Sequence, residues 1–441
     1  MKRKTIKWVS ILTAALMVFS TPFFNSSVLA SSKGIKIIEK NFGVFTQSII
    51  FHDQDQDGYL SQKEAKDVLY ISGEMGKSEI KGLKYLPKLK TIYFNGVKSG
   101  KFKLDTKAEV YLNCVGKTLN VDLKNTKLCY IYGENLEAIN ISKSQKLTNI
   151  GIVCKKLKKV NLSNNKKLEM VFIDGTPITK LDVSKNKNLK YLQVTNTKIK
   201  DIDVSKNQKL EHLVVYRNKL SSVDVTKNAK LEQLCVTNEN VKKIDVTKNK
   251  KLTALACYDT KLSSLNVTKN AKLEELNCSN NKISSLDMSK NKNLKSLFCA
   301  NNKLTKLDLS KNKNLEDLGA SANKLKSLKL KSSKNVINKL KDKAVISTFK
   351  KVKTQEGYYN IDFSLKGTRT NTSYDVQIYN QNMQPFSFMF LDKGQKTGTF
   401  LWVQPGKYRI GIAPTVYLND TRVMVESNHV FKRTVTIPKS N

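Results

Sequence analysis

The chain has 441 residues, 39% of them hydrophobic and 26% charged, and its 78 Lys and Arg against 37 Asp and Glu give a formal net charge of +41. That length admits two or three domains with a sizeable core, and so large a positive excess favours anionic partners such as wall polymers, glycosaminoglycans or nucleic acid. Catalysis finds little support, because His52, His212 and His429 sit in three different parts of the chain and no G-x-S-x-G, H-E-x-x-H, paired CxxC or phosphate loop is present.

The chain opens with Lys2, Arg3, Lys4 and Lys7, then an apolar run from Trp8 to Phe24 flecked with Ser10, Thr13, Ser20, Thr21 and Pro22, then Val28-Leu29-Ala30. A basic stretch, an apolar stretch and a small-x-small site predict a secretory signal peptide over residues 1–30, cleaved after Ala30. The apolar run is short for a membrane anchor, and no second stretch is long enough to span. Loss of the four basic residues leaves +37 on the mature chain. At the other end, Ile437-Pro438-Lys439-Ser440-Asn441 carries no sorting motif or apolar anchor, so covalent wall attachment is not expected.

Phe45 to His52 and Ser61 to Ile71 are expected to be helical, and they flank Asp53-Gln54-Asp55-Gln56-Asp57-Gly58-Tyr59-Leu60-Ser61-Gln62-Lys63-Glu64. This is the pattern of the EF-hand calcium loop. Asp53, Asp55 and Asp57 offer side-chain oxygens, Gly58 permits the sharp turn and Tyr59 offers its carbonyl. Ser61 can bind through water, and Glu64 can close the site with two oxygens. The expected ion is a structural calcium (Ca2+) that clips a helical cap, residues 31–85, over the first coil of the repeats beyond it. A lone extracellular loop faces abundant calcium, so permanent occupancy is the default.

From Leu89 the sequence repeats. Leu147, Leu168, Leu189, Leu210, Leu231, Leu252, Leu273, Leu294 and Leu315 recur every 21 residues, each followed three and five places later by another apolar residue. L-x-x-L-x-L at this period is the leucine-rich repeat signature, and it predicts a solenoid over residues 86–332. One coil cannot bury its own apolar side, so stacking is obligatory. Asn186, Asn207, Asn228 and Asn249 end a second extended stretch of each coil and form a column suited to bonding turn backbones across coils.

Sorting the coils by direction gives three further sets. Cys257, Cys278 and Cys299 take a leucine slot in three successive coils and are expected to be buried, unbridged thiols. Cys235 falls between inward slots and is expected to face outward as a candidate exposed thiol. Lysines recur in the turns at Lys185, Lys206, Lys227, Lys248, Lys269, Lys290 and Lys311, and again at Lys198, Lys219, Lys261, Lys282, Lys303 and Lys324. Such rows serve either as a solvated rim that blunts association or as a linear polycation for a linear polyanion.

The residues beside the inward leucines are expected to line the concave side. One column there contains Tyr93, Tyr111, Tyr132, Phe172 and Phe298; the column before it adds Tyr130, Tyr191 and His212, and the column after it adds Tyr216 and Tyr258. Exposed aromatics are favoured interface anchors, though stacked rings also stabilise neighbouring strands. These ten residues are the candidate ligand-binding set.

The repeat fails after Leu330, and Lys331-Ser332-Ser333-Lys334 marks a boundary. Beyond it, Tyr374 to Tyr379, Thr399 to Val403, Tyr408 to Ile412 and Thr434 to Ile437 read as short strands, with Pro405-Gly406 as a turn. They predict a β-sandwich module over residues 336–441.

The signal peptide, the acidic loop leading into Ile80-Lys81-Gly82-Leu83, the 21-residue coils with L-[DN]-V-[ST]-K-N and the cysteines in a leucine slot resemble the internalin-like leucine-rich repeat proteins of Gram-positive bacteria. The likeness is closest to the subgroup with a cysteine ladder and covers residues 35 to 330. It implies an α/β-type solenoid that binds a host or bacterial surface protein or glycan through its concave face, in adhesion or host interaction, without enzymatic activity. The expected place is outside the cell, without covalent anchoring but loosely associated with the wall; nucleic acid is not an expected partner. The alternative is a wall-associated structural protein held by its lysine columns to anionic wall polymer.

Overall fold

The computed structural model describes residues 34–330 apart from 76–78, 238–239 and 321, together with the backbone of strands between 345 and 437. The predicted signal peptide and the 331–334 boundary lie outside the described residues. The chain divides into two compact units, one ending at Gly73 and including Lys77–Leu89, the other formed by Glu74–Gly76 and Lys90–Asn441.

In the first unit, short helices Glu39–Phe42, Thr46–Ile50 and Gln62–Asp67 gather around Phe42, Phe45, Ile49, Leu60 and Val68, each at most 1% exposed. Ser61 starts the third helix with a capping box: its hydroxyl accepts from the Glu64 N–H while the Glu64 carboxylate accepts from the Ser61 N–H. That helix stops at Asp67, short of the expected Ile71, because Val68 turns extended and Tyr70–Glu74 becomes a strand with alternating exposure. Gly73 belongs to that strand, and a Cβ there would meet the Phe45 ring and Val44 at 2.9 Å. The period of two, with Ile71 inward, overrides the helical reading.

The second unit is a parallel solenoid. Twelve strands pair in register, from Thr91–Val97 through Leu128–Gly133, Met170–Asp174 and His212–Tyr216 to Asp317–Gly319. Every coil turns the same slots inward: Leu189, Leu192, Val194, Ile199, Ile202 and Val204 are all 4% exposed or less. Each such side chain contributes roughly 1.5–3 kcal/mol by leaving water. On the other side of the stack, Gly100–Leu104, Thr118–Leu123 and Ala138–Asn140 form a second parallel sheet, and Lys306–Leu309 pairs with Ser327–Leu330.

Polar ladders fix the turns between these sheets. Asn165, Asn186, Asn207, Asn228, Asn249, Asn270, Asn291 and Asn312 are fully buried, and each donates its amide to two carbonyls of the preceding coil at 2.7–3.1 Å. The expected asparagine column is therefore a continuous brace. A shorter one at the opposite turn, Asn281, Asn302 and Asn323, donates to one carbonyl of the preceding coil and one of its own and accepts from the N–H groups of Leu262, Ile283 and Leu304.

Beyond the repeats, each expected strand lies within an observed one. Val345–Lys353, Tyr359–Lys366 and Thr397–Val403 form one antiparallel sheet. Pro385–Leu391, Ser373–Tyr379 and Gly406–Leu418 form another, with Thr421–Met424 and Thr434–Ile437 both paired to the long strand. Thr421–Met424 also pairs in parallel with Asp317–Gly319, the last strand of the repeat sheet.

Candidate functional site

The concave sheet carries the aromatic residues, and the register sorts them differently from the spacing. Tyr111 pairs with Tyr130, which pairs with Gly151, which pairs with Phe172. Tyr130 therefore belongs to the central column, and Tyr132 to the column of Val153, Asp174, Thr195 and Tyr216, each one column further along than expected. The cause is that Leu128 does not hold the leading leucine slot: it pairs with Asn149 rather than Leu147, the buried Thr126 takes that slot, and Cys129 and Ile131, both 0% exposed, take the inward slots opposite Val110 and Leu112. Leu128 is left at the rim of the sheet.

In this register the N-terminal rings form one contiguous run. Tyr93 stacks on Tyr111 with centroids 4.8 Å apart, and Tyr111 stacks on Tyr130 at 5.3 Å and 5°. Tyr130 in turn meets Tyr132 at 6.3 Å and Phe172 at 6.4 Å. Gly151 makes the last contact possible, because a Cβ there would lie 2.0 Å from the Tyr130 ring. The ring thus rests across the strand at a position that presents no side chain. Tyr93 is the most open of the run, whereas Phe172, expected to be exposed, is only 7% so. Its neighbours cover it, and it serves as the floor under Tyr130.

Burial, then the Glu109 carboxylate and the neighbouring tyrosines, pushes the Tyr111 hydroxyl well above the usual range. Burial also raises those of Tyr130, Tyr132 and Tyr191. The run therefore offers neutral hydroxyl groups, able to donate, beside apolar ring faces.

The other candidates form smaller groups. Tyr191 meets His212 at 5.9 Å and donates from its hydroxyl to the Gln193 side chain at 2.6 Å. Tyr216 lies under the Arg217 guanidinium, 4.9 Å from the ring centroid, and burial pushes the Tyr258 hydroxyl up to about 12. Phe298 stands apart, between Asn277 and Gly319. The spacing did not single out Arg217, held at a φ of 50°, or Asp174, which accepts from the Thr195 hydroxyl and the Asn196 amide. The Arg217 position is legible only as a basic residue in a left-handed column that also holds Gly175, Asn196, Asp259, Asn280, Asn301 and Ala322.

Cys235 is not an exposed thiol. It is 8% exposed, and burial holds its pKa at about 12; although it faces the concave side, its neighbours close over it. All seven cysteines are free and buried. Cys257, Cys278 and Cys299 are 0% exposed in their leucine slots, as the spacing required.

At the acidic loop, Asp53, Asp55 and Asp57 bring carboxylate oxygens within 4.8 Å of one another. Gly58 adopts a φ of 81° and donates its N–H to one Asp53 oxygen at 2.9 Å. The other Asp53 oxygen is buried with no hydrogen-bond partner. Burial, and then the crowding carboxylates of Asp57, Glu64 and Asp53, hold the Asp55 carboxyl above its usual range. An orphaned buried oxygen among converging hard donors fits a divalent calcium ion. The two oxygens of Glu64, expected to close the site, accept from the N–H groups of Gln54 at 2.6 Å and Ser61 at 2.8 Å. The Ser61 hydroxyl is engaged in the cap. Tyr59 donates its N–H to Asp57 at 2.8 Å, and Tyr59–Leu60 pairs with Ile35–Lys36.

A family model described as leucine-rich repeats, two copies, matches residues 271–311. The fold is similar to that of an internalin, InlF, from Listeria monocytogenes, at 19% identity over 67% of this chain and 93% of that one, with a TM-score of 0.50. It is also similar to the functional domain of InlJ from the same organism, which includes a cysteine ladder, at 20% identity over 90% of this chain and 99% of that one, TM-score 0.50. No curated protein matches the chain in sequence. The chain is built of leucine-rich repeats, and these structural neighbours are internalin-like. No helix among the described residues is long and apolar enough to cross a membrane.

Proposed function

We propose that this chain is a secreted, non-enzymatic binding protein that recognises a protein or glycan on a host or bacterial surface through its concave sheet. The observation that carries this reading is the contiguous run Tyr93, Tyr111, Tyr130, Tyr132 and Phe172. Rigid rings with protonated hydroxyl groups provide apolar contact and hydrogen bonding at low entropic cost, the properties of an interface anchor. Tyr191, His212, Tyr216, Tyr258 and Phe298 extend the surface toward later coils. Adhesion or host interaction is the role this implies, with the strands beyond residue 345 forming a β-sandwich module.

Capture of material from wall fragments and host surface extracts tests it. The mature chain is expected to retain a specific ligand at high salt, and replacing Tyr111, Tyr130 and Tyr132 together by alanine is expected to weaken capture by more than tenfold, since hot-spot aromatics each contribute about 2 kcal/mol or more. Equal capture by the triple variant would overturn the reading.

The acidic loop would hold one calcium ion through Asp53, Asp55 and Asp57, with Glu64 and the Tyr59 carbonyl completing the oxygen set. The ion supplies charge that lets three carboxylates converge and ties the loop to its helix. Calorimetric titration is expected to show one calcium site, absent in Asp53→Asn, and chelator is expected to speed hydrogen exchange over residues 40–95 while sparing the repeats. No heat of binding together with unchanged exchange would contradict it.

A further inference from the structure

The lysines of the solenoid are not evenly spread. In the turn that leads into each concave strand, the segments 163–167, 184–188, 205–209, 226–230, 247–251, 268–272, 289–293 and 310–314 carry 17 lysines and no aspartate or glutamate. All 17 side chains are exposed, and among the described residues none of them is in an ion pair.

Carboxylates border this band on both sides, and Asp182, Asp203 and Asp224 act electrostatically on Lys185, Lys206 and Lys227, but they are fewer than its lysines. On one side, Asp182, Asp203 and Asp224 accept from the backbone N–H two residues on, and these bonds with Ser184, Ser205 and Thr226 hold the three carboxyls below their usual range. On the other, Glu169 and Glu274 pair with Lys190 and Lys295 at 2.8 and 2.6 Å. The opposite turn differs, since Lys198 and Lys261 share theirs with Asp201 and Asp259.

The band is also held in place. Each of its segments contains one member of the buried asparagine column, so the backbone beneath the lysines is braced to the preceding coil by two hydrogen bonds. Rows about 4.8 Å apart over seven steps make a strip about 34 Å long in which ammonium groups outnumber the carboxylates beside them. Adjacent strands rotate against one another, so a strip fixed to them winds, and a flexible chain follows it where a stiff duplex leaves it. A strip one turn wide suits a chain of single charges in file.

We propose that this band is the docking site for a flexible, linear polyanion carrying one phosphate per repeat, a binding surface separate from the concave aromatic run and independent of it. Neutralising about five phosphates along the strip gives a plot of log affinity against log salt with a slope near −3.5.

Fluorescence anisotropy of the full mature chain with labelled inorganic polyphosphate, over a salt series, tests it. The triple variant Lys227→Gln, Lys248→Gln and Lys269→Gln is expected to lower the steepness of that slope by about 2 and to bind at least tenfold more weakly at low salt. Lys219→Gln, Lys261→Gln and Lys282→Gln, the same charge removed from the opposite turn, is expected to match the parent. Circular dichroism of both variants reports whether the fold is kept. Equal losses in the two variants, no loss in either, or duplex DNA bound as tightly and through the same lysines would each overturn the proposal.

Discussion

Replacing Asn228 by alanine is expected to remove about 2 kcal/mol from the stability of the repeats. The side chain is fully buried and donates to the carbonyls of Val204 at 3.0 Å and Asn207 at 2.9 Å. Truncation removes one bond from each carbonyl, which keep their backbone donors, the N–H groups of Asn207 and Leu210, so the loss is that of two buried hydrogen bonds at about 0.5–1.5 kcal/mol each. One offset exists, because the Asn228 carbonyl oxygen is itself buried and without a hydrogen-bond partner, and its removal returns part of that cost. Urea unfolding followed by circular dichroism measures the difference. Asn188→Ala, which deletes only exposed contacts to Lys166 and Lys209, is expected to change stability by about 0.5 kcal/mol or less. A loss below about 1 kcal/mol for Asn228→Ala would mean that the column decorates the turns rather than bracing them.

Gly151→Ala is expected to break the aromatic run. The added methyl carbon would stand 2.0 Å from one carbon of the Tyr130 ring and 2.2 Å from the next, so the ring must leave its place between Tyr111 and Phe172. Overpacking of this kind costs about 1–3 kcal/mol. The larger effect falls on recognition, with capture of the ligand expected to drop by more than tenfold and the near-ultraviolet dichroism of the tyrosines to change. Gly175→Ala is the control. Gly175 has a φ of 58° and nothing within 4 Å of an added Cβ, so that substitution costs about 1 kcal/mol of backbone strain and leaves capture unchanged. If both glycine variants bound like the parent, the position of Tyr130 would be irrelevant to the ligand.

The two glycines also mark where the sequence is readable and where it is not. Leu189, Leu192 and Val194 announce their direction because the same slots are apolar in every neighbouring coil. The coil at Leu128 gives no such signal, since Leu128 stands 19 rather than 21 residues before Leu147 and both Leu128 and Cys129 could fill an inward slot. Only strand pairing decides, and it moves Tyr130 into the central column and Tyr132 out of it. Exposure is harder to read than direction. Cys235 and Phe172 do face the concave side, yet large neighbours in adjacent coils cover them, and such coverage depends on rotamers that spacing does not encode. At Tyr70–Glu74 the five residues are too few to show a period, so the helix read through Ile71 yields to a strand.

The acidic loop divides in the same way. Its ligand types and the need for Gly58 follow from the spacing, because oxygen donors and one sharp turn are what a calcium loop requires. The bonds that Glu64 makes to the N–H groups of Gln54 and Ser61 do not, because they depend on how the loop closes against its own helix. The carboxylate has further lone pairs to offer, so capping and ion binding are compatible in one residue.

The most direct test of the concave aromatic run as the recognition surface is hydroxyl-radical footprinting of the mature chain, alone and with its captured ligand. Tyr93, Tyr111, Tyr130 and Tyr132 are expected to be protected together on binding, while Tyr59 and Tyr70 oxidise at the same rate in both samples. Unchanged oxidation of the four tyrosines in a demonstrably saturated complex would contradict the account and place recognition elsewhere on the molecule.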